Sequence, residues 1–262
     1  CRLPDNDLAL LIEAAMRAAE IALPFANHAA KAWEKEDGSG PVTEADLAVN
    51  DMLYSFLRNA RPNYGWLSEE TEDDHARLKK RHCFVIDPID GTRSFMNGEK
   101  TWAHSLAIAT NGVPTTGVVH LPALDHLFAA EIGKGATRDN QILAVSTQNA
   151  LSGARVLAAR PAQMPKFWKD AQVPDFDRHH RPSIAYRLAL VAQGQFDAMI
   201  TFRDSWEWDI CAGALIAAEA GGVVSDRRGK PLRFNKPRPV TKGAVVASPH
   251  LHHNIISQSD AH

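Results

Sequence analysis

The chain has 262 residues, of which 45% are apolar and 23% charged, with 29 Lys and Arg against 31 Asp and Glu. These figures belong to an ordinary globular chain and exclude disorder, collagen and coiled coil. A net charge of −2 argues against a general nucleic-acid or polyanionic membrane surface. No apolar run reaches the roughly 18 residues of a membrane span. The stretch 8–25 is broken by Glu13, Arg17, Glu20 and Pro24, so it reads as neither a span nor a signal peptide. Cys1, Cys83 and Cys211 are far apart and odd in number, with no Cys-x-x-Cys spacing. That is no disulfide framework, and a reducing, cytoplasmic setting is the expectation.

Asp5 or Asp7 is placed to cap a first helix with Leu8, Leu11, Ile12, Ala15, Ala19 and Ala22 at helical spacing, ending near Pro24. Residues 35–41, Lys-Glu-Asp-Gly-Ser-Gly-Pro, read as a mobile polar loop. Thr43 then caps a second helix that buries Val49, Met52, Leu53, Phe56 and Leu57 and stops before Arg61-Pro62. From Tyr64 the period changes, and extended runs cover 64–67, 83–86, 103–109, 115–121 and 127–131, with Asn111-Gly112 as a hairpin turn. The second half alternates: strands over 156–159, 196–201, 223–225 and 244–247, and helices over 183–193 and 209–220, the latter ended by Gly221-Gly222. With no repeat and no long linker, the chain reads as one unit over 1–262, α+β in 1–148 and α/β in 149–262.

The strongest chemical feature is the run Val85-Ile86-Asp87-Pro88-Ile89-Asp90-Gly91-Thr92. An apolar strand ends in an aspartate, Pro88 stops the ladder, and Gly91 lets backbone approach a ligand before a helix start at Thr92. Two carboxylates beside a helix N-terminus suit a hard cation and an anion together. The alternative is an Asx-turn in which Asp90 caps the helix. Three further acidic sites stand at element boundaries: Ser68-Glu69-Glu70, Trp208-Asp209, and Thr43-Glu44-Ala45-Asp46. Alone, each is a cap or a solvated acid. Together at one cleft they would repel unless cations compensated them.

This ordered set resembles the inositol monophosphatase superfamily of metal-dependent, often lithium-sensitive phosphatases. The two signatures are Trp66-Leu-Ser-Glu-Glu70 leading to Asp87-Pro-Ile-Asp-Gly-Thr-Arg-Ser-Phe95, and 208–222, Trp-Asp-Ile-Cys-Ala-Gly-Ala-Leu-Ile-Ala-Ala-Glu-Ala-Gly-Gly. The resemblance implies an αβαβα sandwich, commonly dimeric, with two to three Mg²⁺ ions, Mn²⁺ as a substitute, and Li⁺ or Ca²⁺ as inhibitors. By motif position it implies Glu69, Asp87 and the Ile89 carbonyl at a first metal, and Asp87, Asp90 and Asp209 at a second. It further implies Thr92 and Asp46 as the pair orienting the attacking water, the amides of Gly91 and Thr92 as phosphate donors, and Lys35 as the loop lysine. Such chemistry fits a reaction that needs up to ~10²¹-fold help, supplied by positioning and charge neutralisation.

The substrate is less defined. Inositol phosphatases of the family carry a sugar-binding glutamate seven residues before the Trp-Asp aspartate, where this chain has Phe202. Arg187 and Arg93 stand where the bisphosphate-nucleotidase branch is basic, and extra cations suit a second phosphate. A 3′(2′),5′-bisphosphate nucleotide such as phosphoadenosine phosphate is therefore favoured. Inositol monophosphate, histidinol phosphate and sugar bisphosphates are the alternatives. Trp206 or Trp208 could stack on a base, and His179-His180 reads as a charged loop near the mouth. His250, His252 and His253 read as a terminal polar helix and not as a zinc site. A different class of function, a binding partner of the transcription machinery, would be favoured by lost metal ligands, yet every ligand position is acidic. The expected partners are a small phosphorylated substrate and a second copy of the chain, without stable nucleic acid or membrane.

Overall fold

The computed structural model describes residues 6–26, 30–35, 38 and 40–260. Asn6, and not Asp7, caps the first helix, α1 (Asp7–Ala22), by accepting from the amides of Leu8 and Ala9 at 2.7 and 3.1 Å. Asp7 is unavailable because its carboxylate accepts from Arg61 Nε and the Tyr64 hydroxyl, at 2.9 and 3.0 Å. Asp5 and Cys1 lie outside the described residues. The segment expected as a loop, 35–41, stands between two short antiparallel strands, β1 (Ala32–Glu34) and β2 (Pro41–Thr43), and Lys35 N–H donates to the Gly40 carbonyl at 2.9 Å. Glu36, Asp37 and Ser39 lie outside the described residues. The hairpin runs into α2 (Glu44–Ala60), which starts on a capping box of Thr43 and Asp46.

Seven strands form the first sheet in sequence order: β3 (Gly65–Ser68), β4 (His82–Asp90), β5 (Ala103–Thr110), β6 (Val113–Leu121), β7 (His126–Glu131), β8 (Ala136–Arg138) and β9 (Gln141–Ile142). Only β3 and β4 are parallel; the rest are antiparallel. Asn111 and Gly112, both at positive φ, make the β5–β6 turn as expected. Pro88 does not end β4. The strand continues to Asp90 through a register shift, because a proline costs only its own N–H and a bulge accommodates the gap.

The second sheet takes the order β11-β10-β12-β16-β14, from β10 (Arg155–Ala158), β11 (Asp177–His179), β12 (Ala198–Thr201), β14 (Val223–Ser225) and β16 (Ala244–Ala247). His179 therefore belongs to an edge strand and not to a loop; its backbone pairs in parallel with β10, and Arg178 beside it donates to the Ala158 carbonyl of β10 at 3.1 Å. A two-stranded sheet, β13 (Ser205–Trp206) with β15 (Val240–Thr241), lies beside the start of α5 (Glu207–Glu219).

The side chains of each sheet alternate between two of three apolar clusters, as the two-residue period requires. Phe84, Ile86, Leu106, Ile108 and Val118 face α1 and α2. Val85, Ala107 and Val119 face the other way, onto α4 (Ile184–Ala192) and α5, where they join Leu157, Met199 and Val246 of the second sheet. Val156, Ile200 and Val245 face outward to Leu251 and Ile255 of α6 (Pro249–Gln258). The layers run αβαβα, as the resemblance implies. The terminal helix is amphipathic and not simply polar, and its His252 is buried against the Ser225 hydroxyl at 2.7 Å.

Helix α5 is apolar on every side because it lies between two sheets, with 210–217 all buried. It also sits close. A Cβ at Gly117 of β6 would stand 3.0 Å from the Ala212 carbonyl oxygen, and one at Gly213 would stand 2.6 Å from Leu188 Cβ on α4. Those two glycines set the depth of α5, and hence the height at which its first turn meets the end of β4. Among the described residues no helix is long and apolar enough to cross a membrane.

Candidate active site

The acids converge through backbone pairing. In the parallel β3–β4 ladder Ser68 lies opposite Ile86, and Glu69 N–H donates to the Ile86 carbonyl at 3.2 Å. That sets the Glu69 side chain beside Asp87. On the other side Asp87 pairs with Ser105 of β5, whose hydroxyl donates to the Trp208 carbonyl at 2.8 Å. This bond docks the first turn of α5 on the sheet and brings Asp209 to the same point. One carboxylate oxygen from each of Glu69, Asp87 and Asp209 lies within 4.8 Å of the others.

Asp90 stands next to this group but is not a member of it. Its Oδ2 accepts from the Ser183 hydroxyl at 2.6 Å and from Ala185 N–H at 2.7 Å, so it anchors the start of α4, 93 residues away, and not the short helix that follows it. That short helix, α3 (Thr92–Met96), starts from Gly91 at φ 96°, a conformation that glycine adopts freely.

Lys35 Nζ bridges two acids, 2.8 Å from Glu69 and 2.7 Å from Glu70. Burial opposes its charge, but the two carboxylates outweigh that and raise its pKa. Glu70 stood in the sequence signature without a role; here it is the second partner of Lys35. Asp46 accepts from Thr43 N–H and the Thr43 hydroxyl, at 2.8 and 2.6 Å, and the Thr92 hydroxyl donates to the Ile89 carbonyl at 3.3 Å. The implied Thr92–Asp46 pair is thus seen with each member bonded elsewhere, although α3 packs on β2 immediately before Asp46.

The electrostatics have one cause throughout. Burial pushes Asp46 and Asp90 up to about 6 and Glu70 up to about 7, and it raises Asp87 and Asp209 well above the carboxylate range. Mutual repulsion adds to burial at Asp87 and Asp209. An all-oxygen, self-repelling donor set, partly shielded from water, suits a hard divalent cation. The residues present therefore fit Mg²⁺, held by Glu69, Asp87 and Asp209.

The substrate-side residues are spread out. Arg187 is buried on α4, and its charge is felt by Asp90 and Asp209. Its Nε donates to the Arg181 carbonyl, and its Nη2 to the Pro182 carbonyl at 3.2 Å and to His180 Nε2 at 3.0 Å. Arg93 is exposed on α3. Phe202 is not at the site: it is buried in the outer cluster against Phe167 and Trp168, at ring distances of 5.2 and 5.4 Å. Counting back seven residues fails as a guide to position because the chain leaves β12 at Thr201 and re-enters through β13 before α5 begins. Trp206 and Trp208 stack on each other 4.8 Å apart, with Trp206 40% exposed. Sequence reasoning missed Ser105 and Ser183. Only the helix-start pattern at Pro182-Ser183 gave a signal, and it did not reveal Asp90 as the partner.

Comparison with known proteins agrees with this geometry. The model of the inositol monophosphatase family matches residues 4–262. Inositol monophosphatase 2 of Solanum lycopersicum is 31% identical over 260 residues, 95% of this chain and 97% of that protein. The 3′(2′),5′-bisphosphate nucleotidase CysQ of Aggregatibacter actinomycetemcomitans is 32% identical over 237 residues, 86% of each. Among solved structures, an IMPase of Thermotoga maritima superposes with a TM-score of 0.82 at 27% identity, covering 95% of both chains. A triad of acids, buried at Asp87 and half-buried at Glu69 and Asp209, at the meeting point of two sheets in this five-layer frame defines a metal-dependent phosphatase. The chain belongs to the inositol monophosphatase family, and it is a Mg²⁺-dependent phosphoric monoester hydrolase acting on a small phosphorylated metabolite.

Proposed function

We propose that the metabolite is a 3′(2′),5′-bisphosphate nucleotide, from which the protein releases one phosphate. The observation that carries this reading is Arg187. It is a buried cation within electrostatic reach of Asp90 and Asp209, and it makes no ion pair among the described residues. Its Nε and Nη2 are braced by the 180–182 backbone and His180, which fixes the plane of the guanidinium. A guanidinium held in this way loses little entropy on meeting a second, non-reacting phosphate. Energy from that contact would orient the reacting phosphate.

When bound, Mg²⁺ supplies charge neutralisation at the phosphoryl oxygens and acidifies a water. The chain's own part is to hold Glu69, Asp87 and Asp209 together against their repulsion and to present the Gly91 and Thr92 amides toward the phosphate. In the metal-free chain burial raises Asp46 to about 6, which suits it to take a proton near neutral pH. Lys35 tethers Glu69 and Glu70 to the β1–β2 hairpin. Inositol 1-phosphate is the second reading, favoured by the 31% identity to Inositol monophosphatase 2 along nearly the whole chain.

Phosphate release with Mg²⁺ from phosphoadenosine phosphate and from inositol 1-phosphate separates the two. The nucleotide reading predicts that Arg187→Ala lowers kcat/KM for the bisphosphate by about 2–4 kcal/mol, the range for truncating one partner of a buried charge pair, and changes inositol 1-phosphate hydrolysis far less. Equal losses, or a tenfold native preference for inositol 1-phosphate, would replace it with the inositol reading.

A further inference from the structure

The strand end that carries the metal ligands is a bulge, and one residue stands across from it. Asp87 pairs with Ser105 and Asp90 pairs with Ala103, so Pro88 and Ile89 together face only His104. A bulge takes backbone groups out of the ladder, and buried ones need other partners. Here they have them. Ile89 N–H donates to Asp87 Oδ1 at 3.0 Å, and the Ile89 carbonyl accepts from the Thr92 hydroxyl. Pro88 has no N–H, and its carbonyl is met by His104 Nδ1. A carbonyl can only accept, so Nδ1 carries the ring proton.

His104 is otherwise badly placed for a polar side chain. It is fully buried on the face toward α1, between Trp102 and His120 at ring distances of 5.5 and 6.1 Å, and its Nε2 has no partner among the described residues. An unpaired buried nitrogen costs stability, and leucine or phenylalanine would sit on this face without that cost. What an imidazole supplies there and a hydrocarbon cannot is one N–H aimed at Pro88.

We propose that His104 is a positioning residue for the metal centre, whose Nδ1–H fixes the Pro88 peptide and thereby the spacing of Asp87, the Ile89 carbonyl and Asp90. It touches none of the acids; it acts through the peptide that follows Asp87. The inference rests on the metal-dependent phosphatase reading of the site but not on the choice of substrate.

Mg²⁺ binding by titration calorimetry, with thermal melting in parallel, tests it on the native chain, His104→Leu and His104→Asn. Asparagine keeps a donor at the Nδ1 position; leucine does not. Residues that orient metal ligands typically contribute about 10–100-fold to affinity, so leucine should weaken Mg²⁺ binding tenfold or more while asparagine should not. A smaller loss in the leucine variant, or a tenfold loss in the asparagine variant as well, overturns the proposal. A general packing defect would lower the melting temperature of both without separating their Mg²⁺ affinities. Should the leucine variant fail to fold, His104→Gln takes its place: its longer side chain carries the donor to the Nε2 position, and it should bind like the leucine variant. Absence of Mg²⁺ binding by the native chain would overturn the metal reading itself and this proposal with it.

Discussion

Replacing Asp90 with asparagine should stabilise the metal-free protein while removing its activity. Burial is the main cause of the raised Asp90 pKa; the bonds from Ser183 and Ala185 and the charge of Arg187 offset it only in part, and Glu69 adds to it. The folded value is about 6 against an ordinary 3.8. The folded state therefore binds the proton more tightly than the unfolded state, and ionisation costs stability. The cost is absent below pH 4, grows as pH rises toward the folded value, and is complete above about pH 7. At about 1.4 kcal/mol per pH unit this amounts to about 3 kcal/mol. Asparagine retains a carbonyl oxygen for Ser183 and Ala185 but never ionises. Urea unfolding in EDTA should show the variant and native chains nearly equal at pH 4, with the variant about 3 kcal/mol more stable at pH 8. The difference between the two chains cancels the buried histidines, which titrate in both. The family resemblance gives Asp90 a place at a second metal beside the triad; on that reading the order should reverse with Mg²⁺, and turnover in the variant should fall by about 10²-fold or more. A stability gap that does not change with pH would refute the electrostatic account. Near-normal Mg²⁺-dependent turnover would remove Asp90 from the site.

Other substitutions probe separate links. Gly213→Ala places a methyl 2.6 Å from Leu188 Cβ and should destabilise by about 1–3 kcal/mol, read as a lower melting temperature; an unchanged value would mean that α4 and α5 can part at no cost. Arg77 is buried, bonded to Asp73 at 2.6 Å and to Asn235 and the Lys236 carbonyl at 2.6 and 3.0 Å, so Arg77→Met should cost about 2–4 kcal/mol in urea unfolding. Lys35→Met removes the shared cation of Glu69 and Glu70, and the proton uptake of the metal-free protein near pH 7 should shift to higher pH; titration curves identical to the native ones would disconnect the lysine from the site.

The layers were legible because they follow from periodicity. Phe84 and Ile86 against Cys83 and Val85 show the two-residue alternation of a strand covered on both faces, and 210–217 is apolar all round because it lies between sheets. Glu69, Asp87 and Asp209 were legible as acids at element ends, and their convergence follows from one parallel pairing and one hydroxyl bond. The failures share a cause. Asp90 holds Ser183, and Phe202 turns into the outer core; each outcome depends on a partner far along the chain or on a change of direction that no local pattern encodes. The alternative to a ligand role for Asp90 was a cap on its own turn, whereas the helix it caps begins 94 residues later, at Ile184.

Strand β5 holds the centre from both faces at once. His104 grips Pro88 from the α1 side, and the next residue, Ser105, grips α5 from the other. Neighbouring side chains in a strand point to opposite faces, so a slip of β5 by one residue would turn each of them away from its partner. The Pro88 peptide and the first turn of α5 would be released in the same event. Recovery of catalytic turnover during refolding thus reports that this one strand has found its register, and a population with β5 misaligned would be inactive even with both sheets otherwise formed.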